Sequence, residues 1–367
     1  MNKSDLSLNL NMLKGALASK GYDKWHHQFT GHNQKTGAEK TFFVEYFVIN
    51  PAIRNGHPIL GQLPTNQAIG RRPSYALVKV GVWGEQAKQL HNFYSFSDVK
   101  YANEYLHLTI GSCELSERHL KGSCSVSERD SVHHPEYMSD AGAMTWDLQI
   151  NKKIAVNFGK GLSKISRKFH ALDTFWHAEG VRTEYSGSIE FDGIKYDVFP
   201  ESSFGYADKN WGSTFASPWI WLSGCHLKST TTGKTLENTA FVFKSVLQQR
   251  IGKGQFQKLY GGLCYEGKMQ QYTQLSIDFE EGSVNNLWRI KAENKNTVLI
   301  LELSFLRNEM LLLNYEAPDG TKKHNKLWSG GDGRGSIEFY AKTKKGNHMI
   351  DQFEIRNVGC EYGVIDT

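Results

Sequence analysis

The residues best suited to chemistry lie in one stretch, Phe204-Gly205-Tyr206-Ala207-Asp208-Lys209-Asn210-Trp211-Gly212, followed by Pro218-Trp219-Ile220-Trp221. If Tyr206 to Asn210 is extended, side chains alternate between faces. Tyr206, Asp208 and Asn210 then share one face, and Ala207, Lys209 and Trp211 the other. A carboxyl between two hydrogen-bonding neighbours and close to indoles is desolvated, which raises its pKa and lets it hold a proton as a general acid. The same residues also fit a plain structural role, with Asp208 capping a turn, Lys209 paired at the surface and the tryptophans filling a core. Glu45 is a second acid of interest because it lies within the apolar run Thr41-Phe42-Phe43-Val44-Glu45-Tyr46-Phe47-Val48-Ile49. A carboxylate there must be paired with a Lys or Arg, protonated or catalytic.

The elements that position these residues read as strands. Leu6, Leu10, Leu13 and Leu17 recur at near-helical spacing, so a short helix is expected over 5–20, capped by Ser4 or Asp5 and ended by Gly21. It would lie against the body or block a barrel end. Beyond it, aromatic and β-branched runs at 41–49, 75–83, 105–110 and 144–150 are separated by turn residues. The proline-rich stretch 52–74 reads as a long loop of the kind that covers a site. A connection over Gly159–Phe175 leads to the motif, and strand patterning resumes at 239–243, 275–279, 287–290 and 297–305. The pentapeptide Gly-Ser-Ile-Glu-Phe occurs at 187–191 and again at 335–339. The expectation is a mostly β protein of two barrel-like domains, residues 1–180 with the leading helix and residues 181–367 with the motif.

Composition narrows the function. The chain of 367 residues carries 43 Lys+Arg against 38 Asp+Glu, a net +5 that is spread along the sequence rather than clustered, which argues against a nucleic-acid partner. No window approaches the ~20 apolar residues of a spanning helix, although the leading helix leaves peripheral membrane contact open. The five cysteines show no CxxC spacing and fit a reduced, cytoplasmic setting. His26 and His27 would face opposite ways on a strand, and Gly330–Gly335 lacks the Lys-Ser/Thr of a phosphate loop. Neither a metal nor a nucleotide cofactor is therefore expected, and the sequence does not fix the oligomeric state.

The block Tyr206-Ala207-Asp208-Lys209-Asn210-Trp211-Gly212, then Phe215 and the Trp219-x-Trp221 pair, resembles the signature of the tocopherol cyclase family. The resemblance covers roughly residues 176–226, with weaker support at Phe42–Pro51 and near the C-terminus. More distantly, the layout is similar to the carotenoid hydratase and lipocalin-like proteins of two β-barrels. It implies a lipocalin-like pair of antiparallel barrels and a small hydrophobic substrate. Cyclisation of this type adds a proton to a prenyl double bond, and a phenol oxygen captures the cation. On that reading Asp208 is the acid and Tyr206, Trp176, Trp211, Trp219 and Trp221 present ring faces to positive charge. His177 relays a proton, Tyr206 and Glu45 are further catalytic candidates, and Asn210 and Lys209 line the site. Hydration or isomerisation of an alkene, or binding without turnover, remains open beside cyclisation. From sequence alone, Asp208→Asn is expected to change stability by no more than about 1 kcal/mol and to lower turnover at least ~100-fold, as unfolding and rate measurements would show.

Overall fold

The computed structural model describes residues 6–53, 56–156, 174–250, 254–272, 274–320 and 323–363. Nearly all of the expected Gly159–Phe175 connection lies outside them. The chain is mostly strand, and its strands form two antiparallel sheets. The first holds β1 (Tyr22–Asn33), β2 (Glu39–Ile49), β3 (Tyr75–Val82), β4 (Lys88–Tyr94), β5 (Val99–Tyr101), β6 (His107–Ile110), β7 (Cys113–Ser116), β8 (His119–Val126), β9 (Gly142–Val156), β10 (Thr174–Phe191), β11 (Ile194–Val198) and β12 (Phe204–Gly212). Its order is β4-β3-β2-β1-β11-β10-β9-β8-β7-β6-β5, with β12 paired to both β1 and β10.

The second sheet holds β13 (Trp219–Gly224), β14 (His226–Ser229), β15 (Ala240–Arg250), β16 (Gly254–Tyr265), β17 (Lys268–Tyr272), β18 (Gln274–Glu281), β19 (Asn285–Glu293), β20 (Thr297–Leu306), β21 (Leu311–Glu316), β22 (Lys323–Thr343) and β23 (Gly346–Gly363). The motif strand β12 thus pairs within the first sheet, and the chain changes sheet between Gly212 and Trp219. Turn spacing alone places that change near residues 170–190, because it cannot tell that β12 folds back between β1 and β10.

Burial explains why some strands read as unbroken apolar runs. Along β9 and β19 buried and exposed residues alternate, the pattern of a sheet with one wet face. Strands β3, β12 and β13 are buried at every position, and β2 is buried from Thr41 to Ile49. Their inner faces pack the core of their own barrel, and their outer faces pack the other sheet. Two apolar clusters lie in this seam. One joins Tyr22, Phe43, Phe47 and Trp83 to Phe215, Trp219, Leu313 and Tyr315. The other joins Trp176, Phe204 and Tyr206 to Trp221, Ala240 and Val242.

The expected leading helix does not form over 7–14, which runs in turns and irregular backbone before a 3-10 turn at Gly15–Ala18. Asn11 accepts a hydrogen bond from the Leu13 amide at 3.0 Å, competing with the helix for backbone donors. Gly15 sits at φ +59°, which ends any helical path. The segment nevertheless packs on the first barrel, with Leu13 in its core and Leu8 against Phe175 and Trp211. The loop at 52–74 is pinned at the seam: Asn50 donates to Pro73 and Pro318 carbonyls, and Gln62 bonds Asn314 and Glu136.

One close backbone approach in the seam is at Gly359 on β23. A Cβ there would overlap both the Gln28 Oε1 and the Trp221 ring. Gly359→Ala should therefore destabilise the protein by about 1–3 kcal/mol through overpacking. Denaturant unfolding measures this, and an unchanged midpoint would mean that the seam yields at this point.

Candidate active site at the seam between the sheets

Strand register builds the site. Asp208 on β12 lies opposite His26 on β1, His26 opposite Glu45 on β2, Glu45 opposite Lys79 on β3, and Lys79 opposite His91 on β4. Directly paired residues point to the same face, so one row of ionisable groups crosses five strands. The flanking rows on that face are Tyr206–Gln28–Phe43 and Asn210–Lys24–Phe47. This is the face the second sheet covers, and it brings Trp219 and Trp221 from β13, Lys244 from β15, Tyr315 from β21 and Glu361 from β23.

Asp208 is 2% exposed. Its Oδ2 accepts hydrogen bonds from Trp176 Nε1 at 2.8 Å and Tyr206 OH at 3.0 Å, and Asn210 Nδ2 lies 3.1 Å from both oxygens. Lys244 Nζ stands 3.6 Å away across the seam. Glu45 is bound by Lys24 at 2.9 Å and Lys79 at 3.2 Å. Tyr315 completes this cluster. Its hydroxyl is 2.8 Å from each of the two lysine nitrogens and 2.8 Å from Glu45 Oε2. One O–H donor and two lone pairs match these three partners. Glu361 takes Lys24 at 3.4 Å and Trp219 Nε1 at 2.6 Å. Lys244 and Lys79 lie over aromatic faces, 4.4 Å from the Trp219 ring centre and 4.0 Å from that of Tyr315.

Burial and charge set the protonation states. Burial pushes Glu45 up, but the charges of Lys24 and Lys79 outweigh it and hold the carboxyl well below its usual range. Burial pulls Lys244 down to about 8; Lys24 adds to the fall, and Asp208 and Glu361 offset part of it. Burial raises Tyr206 and Tyr315 well above an ordinary phenol, so both stay neutral donors. His26 Nε2 and Asn210 Oδ1 are buried in this same region without a hydrogen-bond partner among the described residues. The His26 ring is 5.4 Å from Trp221 and 6.4 Å from Tyr206. Two half-open cavities of about 260 and 250 Å³ flank the Glu39–Arg356 ion pair at the rim of the seam. Trp83 in the wall of the first lies 6.3 Å from the His26 ring.

Of the residues singled out in the sequence, Glu45, Trp176, Tyr206, Asp208, Asn210, Trp219 and Trp221 converge here. His177, Lys209 and Trp211 do not, because strand alternation turns them to the other face. Lys209 pairs with Asp23 at 3.0 Å and lies 4.0 Å above the Trp25 ring. Trp211 stacks on Phe175 at 5.4 Å, and His177 bonds Asn9 at 2.7 Å. Sequence reasoning missed Lys24, His26, Lys79, Lys244, Tyr315 and Glu361. Lys79 and Lys244 carry the same signal that exposed Glu45, a charge inside an apolar strand.

No known family profile matches the chain, so the resemblance to the tocopherol cyclase family rests on the motif residues alone. No curated protein matches it in sequence. Among solved structures, it is similar to an AttH protein of Nitrosomonas europaea, at 12% identity and a TM-score of 0.46 over 94% of each chain. It is also similar to kievitone hydratase of Nectria haematococca, at 12% identity and a TM-score of 0.45 over 95% of this chain and 93% of that one.

Two consequences concern stability. Glu45→Ala strands two buried lysines, so a loss of about 3–5 kcal/mol is expected on denaturant unfolding; a loss under about 1 kcal/mol would contradict the buried pairing. Asp208→Asn should cost more than the ~1 kcal/mol expected from sequence. The amide keeps an oxygen toward Trp176 and Tyr206 but leaves the buried Lys244 ammonium without its counter-charge, which the same unfolding measurement would register.

Proposed function

We propose that the seam is the active site of an acid–base enzyme acting on an apolar, unsaturated substrate. The observation that carries this reading is the Asp208–Lys244 pair. It joins a carboxyl held by three donors to an ammonium brought down to about 8, in a dry aromatic setting. A proton near neutrality is easily passed from such a pair. Lys244 supplies it through Asp208 to the substrate alkene, leaving a carbocation. The faces of Trp219 and Trp221 stabilise that cation. A nucleophile captures it, either a phenol oxygen of the same substrate or a water, and its proton returns to the pair. Capture from within gives cyclisation, and capture by water gives hydration. Tyr206, Trp176 and Asn210 hold Asp208 in place. The cavities flanking Glu39–Arg356 are the entry proposed for the substrate.

A second reading, a carrier that holds an apolar ligand without turning it over, has one observation in its favour: Asp208 is ion-paired and buried. Incubation in D₂O with a panel of prenylated hydroquinones and acyclic polyenes separates the two. Catalysis predicts one deuterium on carbon in the product, detected by mass spectrometry, and a loss of at least ~100-fold in Asp208→Asn. Binding of a panel member with no label in any product supports the carrier.

The pH dependence carries a sign. The ammonium form of Lys244 is the donor, so turnover should hold below its pKa and fall as pH rises through about 8. A rate flat to pH 10 would remove Lys244 from the mechanism.

A further inference from the structure

The opposite face of the same strands, inside the first barrel, carries a second set of buried ionisable groups that the seam does not use. Residues 8–13 cross this set and answer it group by group. The Asn9 carbonyl accepts Trp25 Nε1–H at 2.8 Å, and Asn9 Nδ2 donates to Glu117 at 2.9 Å. Asn9 Oδ1 therefore faces His177 Nδ1 at 2.7 Å, which must carry its hydrogen. The Leu10 carbonyl accepts from Lys209, and Asp23 accepts the Met12 amide at 2.8 Å. Asn9 is wholly buried, and Leu13 enters the barrel core. Two carbonyls and a carboxamide oxygen are met by donors, and two amide N–H groups by carboxylates. That is a recognition set for amides beside an apolar interior.

Behind the strap two acceptors are left over. Tyr185 OH donates to the Tyr206 carbonyl at 3.0 Å, so His27 Nδ1 must donate to the Tyr185 oxygen at 3.0 Å. Burial keeps His27 neutral, and its Nε2 is then a bare acceptor with no partner among the described residues. Glu179 bonds Lys152 through Oε2 at 2.6 Å, while its Oε1 is buried and unpartnered. His27 pairs with Ala207, which pairs with Gly180 next to Glu179, so the two acceptors belong to adjoining positions of one sheet.

We propose that the mouth of the first barrel is a second ligand site, closed by residues 8–13 acting as a tethered ligand. The molecule that displaces them is an apolar chain carrying an amide, an N-acyl amide. Its carbonyl takes the donors that Asn9 now occupies, its N–H reaches the free acceptors, and its acyl chain replaces Leu13 in the core.

The test uses a fluorescent N-dodecanoyl asparagine amide and the full chain. Asn9→Ala weakens the strap and should bind the probe at least ~10-fold more tightly than the parent. Adding His177→Phe, which removes one donor, should reverse the gain. Equal affinity in the parent and Asn9→Ala, or binding indifferent to His177→Phe, overturns the proposal. Hydrogen exchange on the parent protein needs no variant to fold. Saturating probe should speed exchange of the Met12 amide at least ~10-fold while β1 stays protected. A strap that stays protected with probe bound means that the probe sits elsewhere, and the proposal fails. Neither result bears on the seam, whose residues lie on the other face.

Discussion

Three buried lysines are matched to three buried carboxylates in the seam, and the rest of the structure is arranged around keeping them matched. Lys24, Lys79 and Lys244 meet Glu45, Glu361 and Asp208, and every member is nearly inaccessible. Taking charges out of water is costly, and attraction offsets the cost only with good geometry and complete hydrogen bonding. Tyr315 shows how the geometry is met: it comes from the second sheet and its single hydroxyl closes the Lys24–Glu45–Lys79 cluster of the first. The apolar clusters on either side exclude water from the row. They also fix the distance between the sheets, because Trp219 and Tyr315 are at once packing residues and partners of the charges.

One set of strands serves two interiors. Because β1 and β12 are buried on both faces, each consecutive pair of residues contributes to opposite sites: His26 to the seam and His27 to the barrel, Asp208 to the seam and Lys209 to the barrel. A one-residue slip in either strand would exchange the two sets. Register is therefore what separates a carboxyl partnered by a lysine of about 8 from the apolar interior of the first barrel.

Much of this was legible in the sequence. Alternation placed Tyr206, Asp208 and Asn210 together and sent Lys209 away, as the structure has it, and Glu45 stood out as a charge in an apolar strand. The mostly β character followed from strand composition and turn spacing. What was not legible depends on distance in space. Tyr315 and Glu361 lie in stretches that look like ordinary strand, and only the packing of the second sheet makes them partners of Lys24. The leading leucines had helical spacing, but Gly15 and the side chains of Asn9 and Asn11 spend the segment's hydrogen bonds elsewhere. His177 neighbours Trp176 in sequence and is turned from it in space.

The chemistry of the seam depends on Asp208 and Lys244 being one interacting pair out of water. Following the Lys244 side chain by NMR as pH is raised tests that directly. It should lose its proton near 8 in the parent and at lower pH in Asp208→Asn, where the carboxylate no longer supports the ammonium. Titration near the ordinary lysine value of 10.5 in both proteins would show that Lys244 is neither buried nor bound to Asp208, and would contradict the proposed chemistry.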